Sequence, residues 1–381
     1  MYAWKQRKLG EVVFQIKSYS LSRNVETNKD TGFKYVHYGD IHRNIAKLLS
    51  SENNLPSIQK GNYEFLQKGD LVIADASEDY EGIGNSCLID CFLSRNIVAG
   101  LHTIALRPTE VNSLFLYYLL HTDIFSQYGK VIATGTKVFG ITAKNLLNFE
   151  FNLPSETEQQ AIGEFFRQLD DTIAFHQRTQ KKYQNLKKSY LEKMFAKINY
   201  AWKQRKLGEI GEYNPNGLIP NEFFYVDLEC VIGTELLFFK RYNKENAPSR
   251  AQRLAKKGDV FFQAVRPYQK NNYLFDLNED NFIFSTGYIQ IRPSLDSYFL
   301  LSSLQNQHFV DSVMEHSTGT SYPAINTTDF KKLEIFIPPT KAEQQAIGEF
   351  FRQLDDTIAF HQRELEKYQQ LKQVLLDQLF V

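Results

Sequence analysis

One stretch, EQQAIGEFFRQLDDTIAFHQR, occurs twice without a change, at residues 158–178 and again at 343–363. A repeat of that fidelity demands two equivalent environments, and no other feature restricts the fold as much. Each copy carries apolar residues at i, i+3, i+4 and i+7. They are Ile162, Phe165, Phe166 and Leu169, continued by Ile173, and Ile347, Phe350, Phe351 and Leu354, continued by Ile358. This spacing predicts a helix with one buried face. Ser155 and Glu158 form an S-x-x-E start signal behind Pro154, and Thr340 and Glu343 repeat it behind Pro338 and Pro339. The apolar period continues through Tyr183, Leu186, Tyr190, Leu191 and Met194 to about residue 197, and through Leu365, Tyr368, Leu371, Leu375 and Leu379 to the C-terminus. Each helix is then ~60 Å long, and its seam needs a partner, which the other copy supplies. Residues 158–197 hold eight Lys/Arg against five Asp/Glu, and residues 343–381 hold four against seven. These opposite net charges favour the pairing.

A second segment, YAWKQRKLGE, is also duplicated, at residues 2–11 and 200–209. Its second copy directly follows the first long helix. The repeating unit is therefore helix then segment, and the helix belonging to the first copy stands at the C-terminus. This circular order, cut at one point, predicts that the N-terminal segment lies beside the end of the C-terminal helix. It also predicts antiparallel helices and a molecule with pseudo-two-fold character.

Between the repeats lie two regions of unlike sequence and like order. KGDLVIA (residues 68–74) matches KKGDVFFQA (256–264), a Gly-Asp turn feeding an apolar strand. HTIALRP (102–108) matches YIQIRP (288–293), a strand ended by proline. SLFLYYLLHT (113–122) matches SYFLLSSLQN (297–306), an apolar helix. TGTKVFGIT (134–142) matches STGTSYPAI (317–325), a glycine-containing loop before a last strand. The expected fold class is mixed α/β (α+β): two similar domains separated by two long antiparallel helices. The expected boundaries are 1–157, 158–197, 198–342 and 343–381.

Composition narrows the function. Lys plus Arg equals Asp plus Glu at 44 each, and each variable region (12–157 and 210–342) holds 13 basic and 15 acidic residues. Such a chain does not coat nucleic acid indiscriminately. No apolar run approaches a membrane span, and MYAWKQRKLG lacks the apolar core of a secretory signal. The three cysteines, Cys87, Cys91 and Cys230, fit neither a disulfide framework nor a zinc pattern and read as reduced thiols in a cytoplasmic protein. There is no Walker loop, dinucleotide fingerprint, HExxH or adenine-methylation motif, so catalysis by this chain alone is not expected. The carboxylate pairs Asp170–Asp171 and Asp355–Asp356 and the repeated Trp4, Arg7, Trp202 and Arg205 read as surface for docking two copies of one partner. Recognition belongs in the parts that differ. Candidates for DNA contact are Thr134, Gly135, Thr136 and Lys137 in the first region. In the second they are Thr318, Gly319, Thr320, Ser321 and Tyr322 with Arg266, Tyr268 and Lys270. Small hydroxyl residues and glycine let a backbone approach phosphates and base edges.

With the EQQAIGEFF helices, the WKQRKLGE segment after the first helix, the KGD turns, STGY at 285–288 and the TGT loops, the whole chain resembles the specificity subunits of type I restriction-modification systems, the HsdS family. The resemblance implies two target-recognition domains, each reading half of a split double-stranded DNA site, and helices that set the gap. It implies two modification (methyltransferase) subunits docked on the helices, joined by restriction/translocase subunits. Those partners would carry S-adenosylmethionine, ATP and Mg, with no cofactor or metal in this chain. Two other readings remain: a compact DNA-modifying enzyme with unrecognised motifs, and a coiled-coil scaffold without a DNA role.

Overall fold

The computed structural model describes residues 4–43, 47–49, 51, 55–80, 82–91, 94–196 and 201–380. Tyr2, Ala3, Lys197, Tyr200 and Val381, which belong to the predicted segments and helices, lie outside the described residues. The chain divides into two compact units, residues 1–175 with 365–381, and residues 176–364. The long helices are thus not bodies of their own. Each unit takes the first part of one helix and the last part of the other into its own core.

In the first unit, Lys5–Lys8 pairs antiparallel with Glu150–Leu153, the strand that leads into the first long helix. A five-stranded sheet runs in the order Val13–Ile16, Thr103–Pro108, Leu71–Ala74, Ser86–Ile89, Leu48–Leu49. A four-stranded sheet holds Asn96–Ala99, Phe33–Val36, Ser57–Ile58 and Glu26–Thr27. The second unit repeats this plan. Lys203–Lys206 pairs with Glu334–Ile337. One sheet runs Gly211–Tyr213, Tyr288–Pro293, Val260–Gln263, Tyr273–Leu274, and another runs Lys240–Asn243, Glu222–Val226, Phe282–Ser285, Ala251–Leu254.

The KGD turns have the same task in both units. Gly69 and Gly258 take φ of 92° and 91°, which glycine adopts without strain. The next residue, Asp70 or Asp259, is buried, caps its own turn through the backbone N–H of Gln67 or Lys256, and receives a two-pronged bond from an arginine on the neighbouring strand of the sheet. Arg107 Nε and Nη2 donate to Asp70 at 2.9 and 2.7 Å, and Arg292 Nε and Nη2 donate to Asp259 at 2.9 Å each. The planar guanidinium matches the carboxylate, so the pair fixes the sheet where a lone buried carboxylate would be costly.

The long helices span Glu156–Ala196 and Lys341–Leu379. At the first start, Ser155 and Glu158 complete a reciprocal capping box. At the second, Thr340 Oγ1 accepts from the Glu343 N–H, but the Glu343 carboxylate accepts from Trp202 Nε1 at 3.0 Å. In the second unit Phe195 packs on Phe351, Lys187 pairs with Asp355, and His176 meets His361. In the first unit Phe166 packs on Phe380, and Asp170 pairs with Lys372. Rising numbers on one helix meet falling numbers on the other, so the segments run antiparallel within each unit. Phe166, Leu169, Phe351 and Leu354 are buried in these seams, with Ile162, Ile347 and Phe350 partly buried beside them. Phe165 departs from the predicted stripe. It is 41% exposed, because the buried face centres on Ile162, Phe166 and Leu169 and leaves the neighbouring position at its edge.

The circular order is visible in the aromatic packing of each unit. Trp4 and Phe380 flank Phe115 at centroid distances of 6.4 and 5.2 Å. Trp202 and Phe195 flank Phe299 at 6.0 and 5.9 Å. The N-terminal segment therefore lies beside the end of the C-terminal helix.

Candidate nucleic-acid interface

In both units the strand after the KGD turn runs out beside the TGT loop. In the second unit, Ile325 N–H donates to Ala264 O at 3.0 Å, Val265 bridges to Ala324, and Arg266 N–H donates to Pro323 O at 2.7 Å. In the first, Ile141 N–H donates to Asp75 O at 2.8 Å, and Ala76 and Ser77 pair with Gly140 and Phe139. Both loops close on the same bridge, Thr134 with Gly140 and Thr318 with Ala324. Gly135 and Gly319 adopt φ of 130° and 94° inside them. A Cβ at Gly135 would run into the Val138 carbonyl, and one at Gly319 would sit 3.1 Å from Tyr322 O. Registered in this way, Ser77 occupies the place of Arg266, and Val138 the place of Tyr322.

The second unit builds a rigid, cationic and aromatic edge on this frame. Arg266 and Lys270 both lie in the left-handed region, at φ 55° and 58°, either side of the turn Pro267–Gln269. Each such non-glycine residue costs about 1–2 kcal/mol, so the surroundings must impose it. Buried Gln263 does so. Its Nε2 donates to Val265 O at 2.8 Å and to Gln269 Oε1 at 2.7 Å, and its Oε1 accepts the Asn271 N–H at 3.2 Å. The Arg266 guanidinium lies over the Tyr322 ring, 4.3 Å from its centroid. It carries no hydrogen bond or ion pair among the described residues. Tyr268 and Tyr322 are 50% and 63% exposed. Thr318, Gly319, Thr320 and Ser321 line the same exposed loop. Lys270, predicted with them, turns away: burial lowers its pKa, and its charge feels Asp311, Lys188 and Glu192.

The first unit offers different chemistry at the same edge. Thr134, Gly135, Thr136 and Lys137 are exposed as a loop tip. Beside them stands a cavity of about 620 Å³ lined in part by Arg23, His37, Tyr38, His42, Ser77 and Asp79. His42 Nε2 donates to Ala76 O at 2.8 Å, and Tyr38 sets its ring edge-on to His42 and His102 at 5.8 and 5.3 Å. His102 Nδ1 lies 3.1 Å from Asp75 Oδ1; burial pushes the Asp75 carboxyl up, and His102 opposes the shift. Burial and the Arg23 charge hold the pKa of His37 low. Sequence reasoning missed Tyr38, His42, Asp75 and His102. They come from three separated segments and form no motif. The one available signal is the alignment of the two KGD strands, which places Asp75 at the register of Ala264, at the start of this edge.

The residues expected to dock partners are placed differently from expectation. Trp202 is buried against Phe195 and Phe299, and Trp4 is half-buried against Phe115. Both are core anchors, since an indole beside these rings is worth more inside than on the surface. Asp170 accepts from Tyr118 Oη at 2.9 Å and pairs with Lys372, and Asp355 accepts from Tyr298 Oη at 2.8 Å and pairs with Lys187. These two carboxylates seat the apolar helices Ser113–Leu119 and Ser297–Gln305 on the long helices. Arg7 bonds Glu11 and Glu110, and Arg205 bonds Glu209. Asp171 and Asp356 are exposed.

Part of the repeat's polar identity has this internal cause. Gln159 and Gln344 are buried, accepting from the N–H of Asn112 and Asp296 and donating to the carbonyls of Pro154 and Pro338. A Cβ at Gly163 would lie 3.0 Å from Phe115 N, and one at Gly348 would lie 2.9 Å from Phe299 N. The duplicated residues that stay on the surface include Asp171 and Asp356 and the half-exposed Phe175 and Phe360.

Among the described residues no group of three or more His, Cys, Asp or Glu is placed to hold a metal, and no helix is long and apolar enough to cross a membrane. Cys87 and Cys230 are buried, free thiols whose pKa values burial raises, and Cys91 is half-buried.

Comparison with known proteins matches this architecture. A family model described as Type I restriction modification DNA specificity domain matches residues 1–184 and again residues 199–370. The Type I restriction enzyme HindI specificity subunit of Haemophilus influenzae is 28% identical over 192 residues, which are 47% of this chain and 41% of that protein. That match therefore spans less than half the length of the relative. Among solved structures, the S subunit of a type I restriction-modification system from M. genitalium has a TM-score of 0.66 at 16% identity, covering 99% of this chain and 96% of that one. A chain of a type I R-M system, solved to explain complex assembly and conformational transition, has a TM-score of 0.52 at 19% identity, covering 99% of this chain and 97% of that one. At those identities the likeness is one of fold. One model matching both halves, laid over two units that share a frame and differ at one edge, gives the conclusion: the chain belongs to the Type I restriction modification DNA specificity domain family.

Proposed function

We propose that this chain is the sequence-specificity subunit of a type I restriction-modification complex and performs no chemistry itself. Each target-recognition domain reads one half of a bipartite double-stranded DNA site. The single observation carrying this reading is the contrast at one registered edge: Arg266 and Tyr322 in one unit stand where Ser77 and Val138 stand in the other, on matching backbone bridges. A shared frame with unlike side chains is what two readers of unlike half-sites require. The long helices set the gap between the half-sites. The duplicated surface residues, Asp171, Phe175, Asp356 and Phe360, dock two modification subunits, and restriction/translocase subunits join them. S-adenosylmethionine, ATP and Mg act in those partners, in the cytoplasm where the DNA is. Because both recognition domains are slightly acidic, the isolated chain binds DNA weakly, and closure of the modification subunits around the duplex supplies phosphate contacts. The test is reconstitution. The purified chain alone should neither methylate nor cleave DNA, while the chain with modification subunits should methylate adenine at one bipartite sequence. Methyl transfer by the chain alone, or methylation at an undivided site, would overturn the reading.

A further inference from the structure

We propose that Arg266 reads a guanine in the half-site of the second recognition domain, and that Tyr322 is the plate that holds its guanidinium in the reading orientation. The inference rests on the specificity-subunit reading and assigns a base to one side chain.

Four observations lead to it. The guanidinium lies over the Tyr322 ring at 4.3 Å. Such stacking leaves the in-plane N–H donors pointing outward as a fixed fork. No acceptor among the described residues engages that fork, although most arginines at this chain's surface are paired. The backbone under it is held left-handed by the Gln263 network, so the side chain leaves the turn in one direction. The frame itself is common to both units, yet its first-unit version carries Ser77 and Val138, which can form neither the stack nor the fork. A feature present in one reader and absent from the other, on matching backbone bridges, belongs to what distinguishes their targets.

The chemistry selects guanine among base edges. A planar two-donor fork matches two acceptors side by side, and in the major groove only guanine offers them, at O6 and N7. A phosphate contact makes a poorer account. Phosphate accepts from many directions and needs no stacked, strained arginine. Thr318, Thr320 and Ser321 on the adjacent loop can supply phosphate contacts that set the register.

The test is methylation sequencing of DNA from a host carrying this chain with its modification subunits. Exchange of residues 12–153 alters the other half-site and so identifies the one read by the second domain. That half-site should contain a G·C pair in the wild type. Arg266→Ala should leave a bipartite target with the first half-site unchanged, and relax that one G·C position by about tenfold to a hundredfold. Tyr322→Leu should relax the same position less, and Arg266→Lys should weaken it without transferring preference to another base. Copurification with the modification subunits shows that each variant is folded. A second half-site without G·C overturns the proposal, as does an Arg266→Ala complex that keeps every base preference, whether its methylation is undiminished or uniformly reduced. A wild-type complex with no bipartite target would instead refute the specificity-subunit reading itself.

Discussion

Tyr118 donates its hydroxyl to Asp170 at 2.9 Å, tying the apolar helix of the first recognition domain to the first long helix, and Tyr298 makes the equivalent bond to Asp355 at 2.8 Å. Burial, with the charge of the facing aspartate, raises the pKa of both phenols, so both remain donors at neutral pH. Gly163 and Gln159, or Gly348 and Gln344, complete the same seat about two and three turns earlier. A recognition domain fixed to its helix at several points carries its reading edge rigidly, as a reader of a defined register must. Tyr118→Phe should therefore lower the unfolding free energy by about 1.5–3 kcal/mol, the range for a hydrogen bond to a charged group. Urea denaturation of the purified chain checks it, and Tyr298→Phe should behave alike.

The KGD carboxylates carry a larger load. Asp259 is fully buried and receives Arg292 and Gln290 as well as the Lys256 N–H. Asp259→Ala leaves a half-buried arginine and a buried amide without their acceptor. The expected cost is about 3 kcal/mol or more, as for breaking a buried pair from one side. Asp259→Ala with Arg292→Met should recover part of that loss, and a double-mutant cycle measures the coupling.

Acid should weaken the first unit. Burial pushes the His121 pKa down to about 4, even though its Nδ1 donates to Tyr117 O at 2.7 Å. An unfolded histidine titrates near 6.5. Its folded pKa is depressed, so between those values the unfolded chain binds the extra proton. Stability from this residue is full above about pH 6.5 and falls as pH drops toward 4. His121→Gln should flatten that part of the stability–pH curve by about one proton's slope, read from urea midpoints at pH 7, 6 and 5.

The spacing role of the helices predicts a change of gap. Four residues inserted after residue 178 and four after residue 363 lengthen each helix by about 6 Å. Sequencing of methylated sites should show the gap between half-sites longer by about one or two base pairs, with both half-sites retained. An unchanged gap would remove the helices from that role.

The parts of this molecule that were legible in sequence are those where identity or period carried the signal. The EQQAIGEFF repeat and its apolar stripe gave two long helices. The displaced YAWKQRKLGE gave the circular order that Trp4, Phe115 and Phe380 display. Polar identity was ambiguous, because an internal seat and a docking face constrain surface-looking residues equally. Sequence alone places Asp170, Asp355 and Trp202 outward for that reason, and only packing shows that they face inward. The reading edge was half legible. Glycine and threonine marked the loops, and Arg266 and Tyr322 were visible as residues but not as a stacked pair. His42, Asp75 and His102 converge from separate segments and carry no local pattern.

The most direct test of two independent readers on one frame is an exchange. Residues 12–153 are replaced by the corresponding domain of a related protein with a different target, the duplicated segments and helices are kept, and methylated sites are sequenced from a host with the modification subunits. One half-site should change, with the second half-site and the gap unchanged. Alteration of both half-sites, or of neither, would contradict the account.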